Sequence, residues 1–195
     1  MKKQLHRLAA TAAFVLATLG AQAAPVVVDV SGAQSINLLG EAGNTVWLID
    51  IGAHSRLNGL DWNVTLEAFA PSLLSEMQVS FGSASGLDLL TLAPDIADGL
   101  SGAGRYAGSQ DLAPLGVTVG ADGLLRIEFS DEFKDFAVGT AEGHWLNGTL
   151  TFDVTAAAVP EPASAALVAL GVGVVGWQLR RTRRGLPHTT RAPGK

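Results

Sequence analysis

The sequence predicts an all-β fold, a single domain built as an antiparallel β-sandwich or jelly roll. Residues 60–68 alternate apolar and polar side chains, the pattern of a strand with one buried and one solvated face. Several other short apolar runs are bounded by Gly, Asn or Asp, and no long segment among them has the period of a helix. Short strands joined by glycine-rich turns are typical of two packed antiparallel sheets.

Six strands are predicted in chain order. A short helix is predicted around residues 71–76, and Ala121-Asp122-Gly123 is predicted as a tight hairpin turn because Asp and Gly tolerate positive φ. Residues 93–114 are glycine-rich and poor in bulky apolar side chains, so a surface loop is predicted there. The predicted strands cover residues 45–51, 60–68, 77–81, 115–119, 124–129 and 146–154.

The N-terminus has the three parts of a secretory signal peptide. A basic start at Lys2, Lys3 and Arg7 is followed by an apolar run over residues 8–20. Ala21 and Ala23 then supply the small side chains that signal peptidase requires, so cleavage is predicted after Ala23. Export through the Sec machinery is therefore expected.

The C-terminus combines a short motif with a membrane-length segment. Pro160-Glu161-Pro162 precedes an uncharged apolar run over residues 163–179, which is just long enough for a spanning helix. An arginine cluster follows and predicts that this end stays in the cytoplasm. The cluster consists of Arg180, Arg181, Arg183 and Arg184.

With these residues in the same order, the C-terminus resembles the PEP-CTERM sorting signal of Gram-negative bacteria. The resemblance implies processing by an exosortase, an integral membrane cysteine transpeptidase, in cells that make exopolysaccharide. Glu161 would then be a recognised side chain on a substrate. Residues 40–81 also look like the β-sandwich domains of undefined activity found in many such exported proteins.

These observations divide the chain into five parts. The predicted parts are a signal peptide (1–23), an exported β-sandwich domain (24–155), a linker (156–159), the sorting signal (160–185) and a disordered cytoplasmic tail (186–195). The expected location is an inner-membrane intermediate, followed by the cell envelope surface or the extracellular matrix.

Charge and cysteine content exclude several classes of function. Residues 24–158 contain 17 acidic side chains but only four basic ones, Arg56, Arg105, Arg126 and Lys134, which leaves 13 net negative charges. Such a field repels phosphate backbones, so nucleic acid is not an expected partner. Cysteine is absent, which removes disulfides, thiol catalysis and zinc–thiolate sites.

No catalytic constellation is predicted. His54 and His144 lie outside the targeting segments, but neither belongs to a metal-spaced pair, and no Gly-x-Ser-x-Gly nucleophile elbow occurs. A small secreted hydrolase with a Ser–His–Asp triad is kept as one alternative. No cofactor is predicted except calcium, for which Asp131, Glu132 and Asp135 are weak candidate ligands beside the simpler reading of a solvated acidic turn.

Tryptophans raise a second alternative, a carbohydrate-binding module, because exposed aromatic faces stack on sugar rings. Trp62 belongs to the core face by alternation, and Trp47 is ambiguous. Trp145 falls opposite Leu146 and Phe152 in the alternation, so it is predicted to be exposed and is the candidate sugar contact. The leading expectation remains a non-enzymatic exported protein with a structural or interaction role linked to exopolysaccharide.

Overall fold

The structure, a computed structural model, describes residues 23–157. This part of the chain contains nine strands and two 3-10 helices, Leu74–Glu76 and Ala113–Leu115. The first 3-10 helix lies where the short helix was predicted. The strands are β1 (Ala23–Asp29), β2 (Ala33–Ser35), β3 (Thr45–Asp50), β4 (Arg56–Ala68), β5 (Met77–Ser83), β6 (Leu90–Leu92), β7 (Gly102–Asp111), β8 (Leu124–Asp131) and β9 (Gly143–Thr155).

The strands of the described part form two antiparallel sheets. The first sheet has the order β1-β9-β4-β7, with β2 also paired to β9, and the second has the order β3-β8-β5-β6. The pairing is nested, with β5 on β6, β4 on β7, β3 on β8 and β1 on β9. Such nesting arises when one long hairpin folds over on itself, as in jelly rolls. The prediction of an all-β antiparallel fold is confirmed, and the arrangement is consistent with a β-sandwich.

Aromatic side chains join the two sheets in one core. Phe81 of β5 contacts Phe152 of β9 edge to face at a centroid distance of 5.2 Å. Phe129 of β8 contacts Trp145 of β9 in the same way at 4.9 Å. All four rings are fully buried, and such edge-to-face pairs add to the free energy gained by removing the rings from water.

Strand β4 follows the predicted alternation. Leu60, Val64 and Leu66 are buried, whereas Asp61 and Asn63 between them are exposed. The strand lies between β9 and β7 in the first sheet, so its apolar face contributes to the core along its whole length. The period of two therefore predicted both the strand and its buried face correctly.

The prediction of a surface loop over residues 93–114 is wrong for its second half, because Gly102–Asp111 forms strand β7. The glycines that suggested a loop make room for aromatic rings of the sheet itself. A Cβ atom on Gly108 would lie 2.4 Å from the ring of Trp62, and one on Gly104 would lie 2.1 Å from the hydroxyl of Tyr106. Glycine in a strand often marks such a close approach.

The strand predicted over residues 115–119 is also wrong. Leu115 closes a 3-10 helix, Gly116 follows with a φ of 67°, and the segment forms only an isolated bridge between Arg56 and Thr118. Its apolar periodicity is real, because Val119 is buried and Val117 packs against the core. The change of backbone direction at Gly116 leaves too few consecutive residues to pair as a strand.

The loop between β2 and β3, residues 36–44, covers part of the outer face of the second sheet, and the carboxylate of Glu128 holds this covering loop in place. Glu128 lies on β8 between the core residues Ile127 and Phe129, so its side chain points away from the core, yet it is only 1% exposed. Its Oε1 accepts hydrogen bonds from the Gly40 N–H at 2.8 Å and from Asn44 Nδ2 at 2.9 Å. Its Oε2 pairs with Arg126 at 2.6 Å.

Burial by itself raises the pKa of Glu128, but the hydrogen bonds that it accepts outweigh burial and leave the pKa below its usual value. The hydrogen bond from Asn44 lowers it most, followed by those from Arg126 and the Gly40 N–H. The stabilisation is therefore present at neutral pH and is lost as the pH falls through this lowered pKa.

Replacing Glu128 with glutamine is expected to lower the free energy of unfolding by about 1–3 kcal/mol, because hydrogen bonds to a buried charged group are lost. Urea unfolding at pH 7 measures the effect. Glu41→Gln is the matched control, since Glu41 lies on the same covering loop but is exposed. Equal stability of the two variants would contradict the role of Glu128.

Candidate functional site

Trp145, the candidate sugar contact, is completely buried, so the prediction that it is exposed is wrong. The register between β4 and β9 shifts at this point: Thr65 pairs with Asn147 and Leu66 pairs with Trp145, which leaves Leu146 as an extra residue. This β-bulge reverses the faces of β9, so that Trp145 joins the core and Leu146 is 41% exposed. The carbohydrate-binding alternative therefore loses the side chain on which it depended.

The other two candidate tryptophans also face the interior. Trp47 of β3 is half-buried and contacts Phe129 edge to face at 4.8 Å. Trp62 of β4 is half-buried over Gly108, and its indole nitrogen is buried. Both rings therefore pack against the core and are only partly exposed.

The two histidines occupy different surroundings. His54 is exposed in the connection between β3 and β4, with a φ of 56°. His144 is half-buried, with its Nε2 2.9 Å from Gln34 Nε2 and its ring against Phe69 at 4.9 Å. An amide and an aromatic ring do not make the oriented Ser–His–Asp arrangement that a hydrolase requires.

The calcium candidates do not form a cluster. Asp131 is buried at the end of β8, whereas Glu132 and Asp135 are exposed in the following loop. Across residues 23–157, no group of three or more His, Asp or Glu side chains is arranged to hold a metal ion. The interpretation as a solvated acidic turn is wrong for Asp131, since its side chain is almost entirely removed from water.

Burial raises the pKa of the Asp131 carboxyl to about 7. The nearby carboxyls of Glu76 and Glu142 raise it further, because a second negative charge beside them is unfavourable, while the backbone N–H groups of Phe133 and Glu132 partly oppose the shift. The Ser72 hydroxyl lies 3.5 Å from Asp131 Oδ2. At neutral pH this carboxyl is thus partly protonated inside the protein.

Glu142 and Lys134 form a clamp that was not predicted from the sequence. Glu142 is fully buried, and its Oε1 accepts hydrogen bonds from Lys134 Nζ at 2.5 Å and from the Phe136 N–H at 3.0 Å. Lys134 Nζ also donates to the carbonyl oxygens of Ile36 and Thr140. The clamp fastens the loop after β8 to the end of the sandwich, which gives these charges a structural role.

A shallow pocket of about 180 Å³ lies between the two sheets near β6 and β7. Leu60, Phe81, Leu90 and Leu92 supply its apolar lining, and Gln110 is among its polar residues. None of the lining residues is titratable. The pocket thus offers apolar contact to a small group but no ionisable acid or base.

Several predicted site residues lie outside the described part of the chain. They are Ala21 at the signal peptidase site, the motif Pro160-Glu161-Pro162, and the arginines Arg180, Arg181, Arg183 and Arg184. Residues 1–22 of the predicted signal peptide (1–23) and the predicted span over residues 163–179 lie outside it as well. Between residues 23 and 157, the structure contains no helix of the length and apolarity needed to cross a membrane.

Residues 158–184 match the family model of the PEP-CTERM protein-sorting motif. The protein is thus an all-β domain followed by a C-terminal protein-sorting motif. That motif is PEP-CTERM, as the residues at positions 160–184 predicted, and it implies processing by an exosortase and export to the cell envelope through a membrane-anchored intermediate. A comparison with curated proteins finds no match.

Two viral proteins of known structure are distantly similar to this chain. The VP2 subviral particle of infectious bursal disease virus is 10% identical to this chain, with a TM-score of 0.35. The match covers 69% of this chain and 33% of the VP2 chain. The chain therefore spans about a third of that protein's length. The tomato aspermy virus structure is 13% identical, with a TM-score of 0.29, and the match covers 82% of this chain and 97% of the viral chain. Likeness at this level carries no argument about function.

Proposed function

We propose that this chain is a non-enzymatic exported protein with a structural or interaction role linked to exopolysaccharide. Signal peptidase removes its N-terminal segment, and exosortase acts on its C-terminal signal to deliver it to the envelope surface or the extracellular matrix. The match of residues 158–184 to the sorting motif, directly after the all-β domain, carries this proposal.

The side chains of the described domain support a role without catalysis. The carboxyl group with the raised pKa, Asp131, and its neighbour Glu142 are 1% and 0% exposed, so neither is placed to meet a substrate. His144 contacts an amide and an aromatic ring, and the pocket between the sheets is lined by neutral side chains. These side chains are engaged in contacts within the sandwich, so contacts with other matrix components would be made by its surface.

The chemistry of the sorting motif fits a substrate segment. Proline on both sides of Glu161 disfavours helix, so the sequence predicts an extended motif just outside the predicted span, where an enzyme could reach it. Glu161 carries the only acidic side chain after Asp153. A single charge in this position gives the exosortase one clear group to recognise.

Replacing Glu161 with alanine is expected to block C-terminal processing in a host that has an exosortase. Mass spectrometry of the C-terminus and cell fractionation measure the outcome, and the same host without exosortase provides the reference for unprocessed chain. Glu132→Ala, which removes an exposed acid from the domain, is the matched control and is expected to mature normally. Normal maturation and location of the Glu161→Ala protein would refute the proposal.

A further inference from the structure

Strand β7 forms one edge of the first sheet and pairs only with β4 among the described residues. Its ten residues match β4 without a register shift from Gly102 to Asp111. Alternate residues of such an edge direct their N–H and C=O groups away from the sheet. The outer side of β7 is therefore a long and regular row of backbone donors and acceptors that can pair with another strand.

The other edge strands are shorter or interrupted. Strand β6 has three residues, β3 has six, and β1 contains Pro25, which lacks a donor. Natural proteins protect sheet edges with short strands, prolines, lysines and bulges. None of these features occurs in β7, so it is the edge best suited to accept a further strand.

Two exposed charged side chains of β7 lie on the face of the first sheet that points away from the core. One lies three residues before Gly108 and the other three residues after it. Arg105 and Asp111 take part in neither of the salt bridges found within residues 23–157. Arg105 donates two hydrogen bonds to the amide oxygen of Asn63, at 3.2 Å and 3.3 Å, and Asp111 accepts one from the Ala113 N–H at 3.0 Å. Arg105 is also one of only four basic residues in the predicted domain.

We propose that β7 pairs with β7 of a second copy of this chain, antiparallel about a two-fold axis at Gly108. In this register Arg105 lies opposite the second copy's Asp111, and Asp111 lies opposite the second copy's Arg105. Ala107 lies opposite the second copy's Ser109, so only small side chains meet near the axis. The first sheets of the two copies become one continuous sheet, joined by an isologous contact.

The charges select this register over its neighbours. Side chains alternate between faces, so any other register that keeps the same faces together differs by two residues or more. Sliding the second copy by two residues would place Arg105 opposite Ser109 or Ala113 and would separate both charge pairs. Cross-strand pairs of opposite charge are favourable and like charges are unfavourable, so the two pairs set the alignment while backbone hydrogen bonds join the strands.

The net negative charge of the domain opposes self-association over long distances. At physiological ionic strength charges are screened beyond about 8 Å, whereas the two cross-strand pairs lie in direct contact. The assay is therefore run at physiological salt, where the contacts at the edge decide the result.

Sedimentation velocity of the full-length chain in a mild detergent tests the proposal. The wild-type protein is expected to be a dimer, and Arg105→Asp or Asp111→Arg is expected to weaken the dimer by about tenfold or more, because each places like charges opposite each other twice. The double variant Arg105→Asp/Asp111→Arg restores the pairs with their signs exchanged and is expected to regain the dimer. Asp61 lies on the same face of the sheet in the neighbouring strand β4. Asp61→Arg is therefore the charge-matched control for Asp111→Arg and is expected to stay dimeric.

Cysteine cross-linking provides a second measurement, because the chain contains no cysteine. The variant Ala107→Cys/Ser109→Cys places two cysteines at directly opposed positions of the proposed pair, within the distance that a disulfide spans. Mild oxidation is expected to yield a covalent dimer, whereas the variant that also carries Arg105→Asp is expected to yield little.

Three results would overturn the proposal. The first is a wild-type chain that is monomeric at micromolar concentration, and the second is a dimer that neither charge reversal weakens. The third is a double variant that does not regain the dimer although its thermal unfolding matches that of the wild type. None of these readings depends on exosortase processing, so the proposal stands or falls separately from the proposed function.

Discussion

Replacing Trp145 with alanine is expected to lower the free energy of unfolding of the domain by about 3–5 kcal/mol, the range observed for buried aromatic residues. The side chain is fully buried and contacts the ring of Phe129 at 4.9 Å. Its indole nitrogen donates to Ser35 Oγ at 3.3 Å, which ties β9 to β2. The substitution would leave a large cavity between the sheets and an unpaired hydroxyl.

Urea unfolding followed by near-ultraviolet circular dichroism measures the loss. Leu146→Ala is the matched control, since Leu146 is the neighbouring bulge residue and is 41% exposed. We expect Leu146→Ala to cost less than about 1 kcal/mol. If the two variants lost similar stability, the placement of Trp145 in the core would be refuted. If Trp145→Ala destabilises the domain as expected, a loss of carbohydrate binding by this variant would report unfolding and would not support the carbohydrate-binding alternative.

Stability is expected to fall as the pH rises from about 4 to about 7, and Asp131→Asn is expected to abolish most of this fall. The pKa of Asp131 is about 7 in the folded protein against 3.8 as the unperturbed value. Between these values the unfolded chain has lost the proton and the folded chain still holds it, so raising the pH favours unfolding. Above pH 7 the contribution levels off.

The size of the effect follows from the shift in the pKa. Each pKa unit corresponds to about 1.4 kcal/mol, so the carboxyl of Asp131 reduces stability at pH 8 by about 4 kcal/mol relative to pH 3. Asparagine has the shape of the neutral acid and carries no charge, so the variant is expected to be more stable than the wild type at pH 8 and similar to it at pH 3.

Urea unfolding of both proteins at several pH values tests this expectation. Glu132→Gln is the matched control because Glu132 is the exposed neighbour of Asp131, and its stability curve is expected to follow the wild type. A wild type that gains stability between pH 4 and pH 7, or an Asp131→Asn variant with the same slope as the wild type, would contradict the assignment.

Local alternation predicted the central strands well. In β4, the buried Leu60, Val64 and Leu66 are the apolar members of the alternating run, and the apolar run over residues 124–129 became most of β8. These segments obey one rule, that a half-buried strand alternates, and the rule needs no knowledge of the neighbouring strands. Strands β2 and β6 are three residues long, too short to show a period.

The structure decided matters that depend on distant partners. The bulge at Leu146 arises from the register between β4 and β9, so the burial of Trp145 could not be predicted from β9 alone. Strand β7 has the composition of a loop because the rings of Trp62 and Tyr106 occupy the space that side chains at Gly108 and Gly104 would need. Composition cannot distinguish a glycine that permits a turn from one that makes room for a ring.

By itself, the sequence determined the all-β class and the identity of the sorting motif at residues 158–184, because strand alternation and targeting signals are written in consecutive residues. Only the tertiary structure decided the surroundings of the acidic side chains. Asp131 and Glu142 are buried, and Glu128 is paired with Arg126, although all three resemble the exposed acids beside them in the sequence. Burial and pairing are set by chain segments that meet only when the two sheets close, and they decide whether a carboxyl group is solvated, paired or protonated.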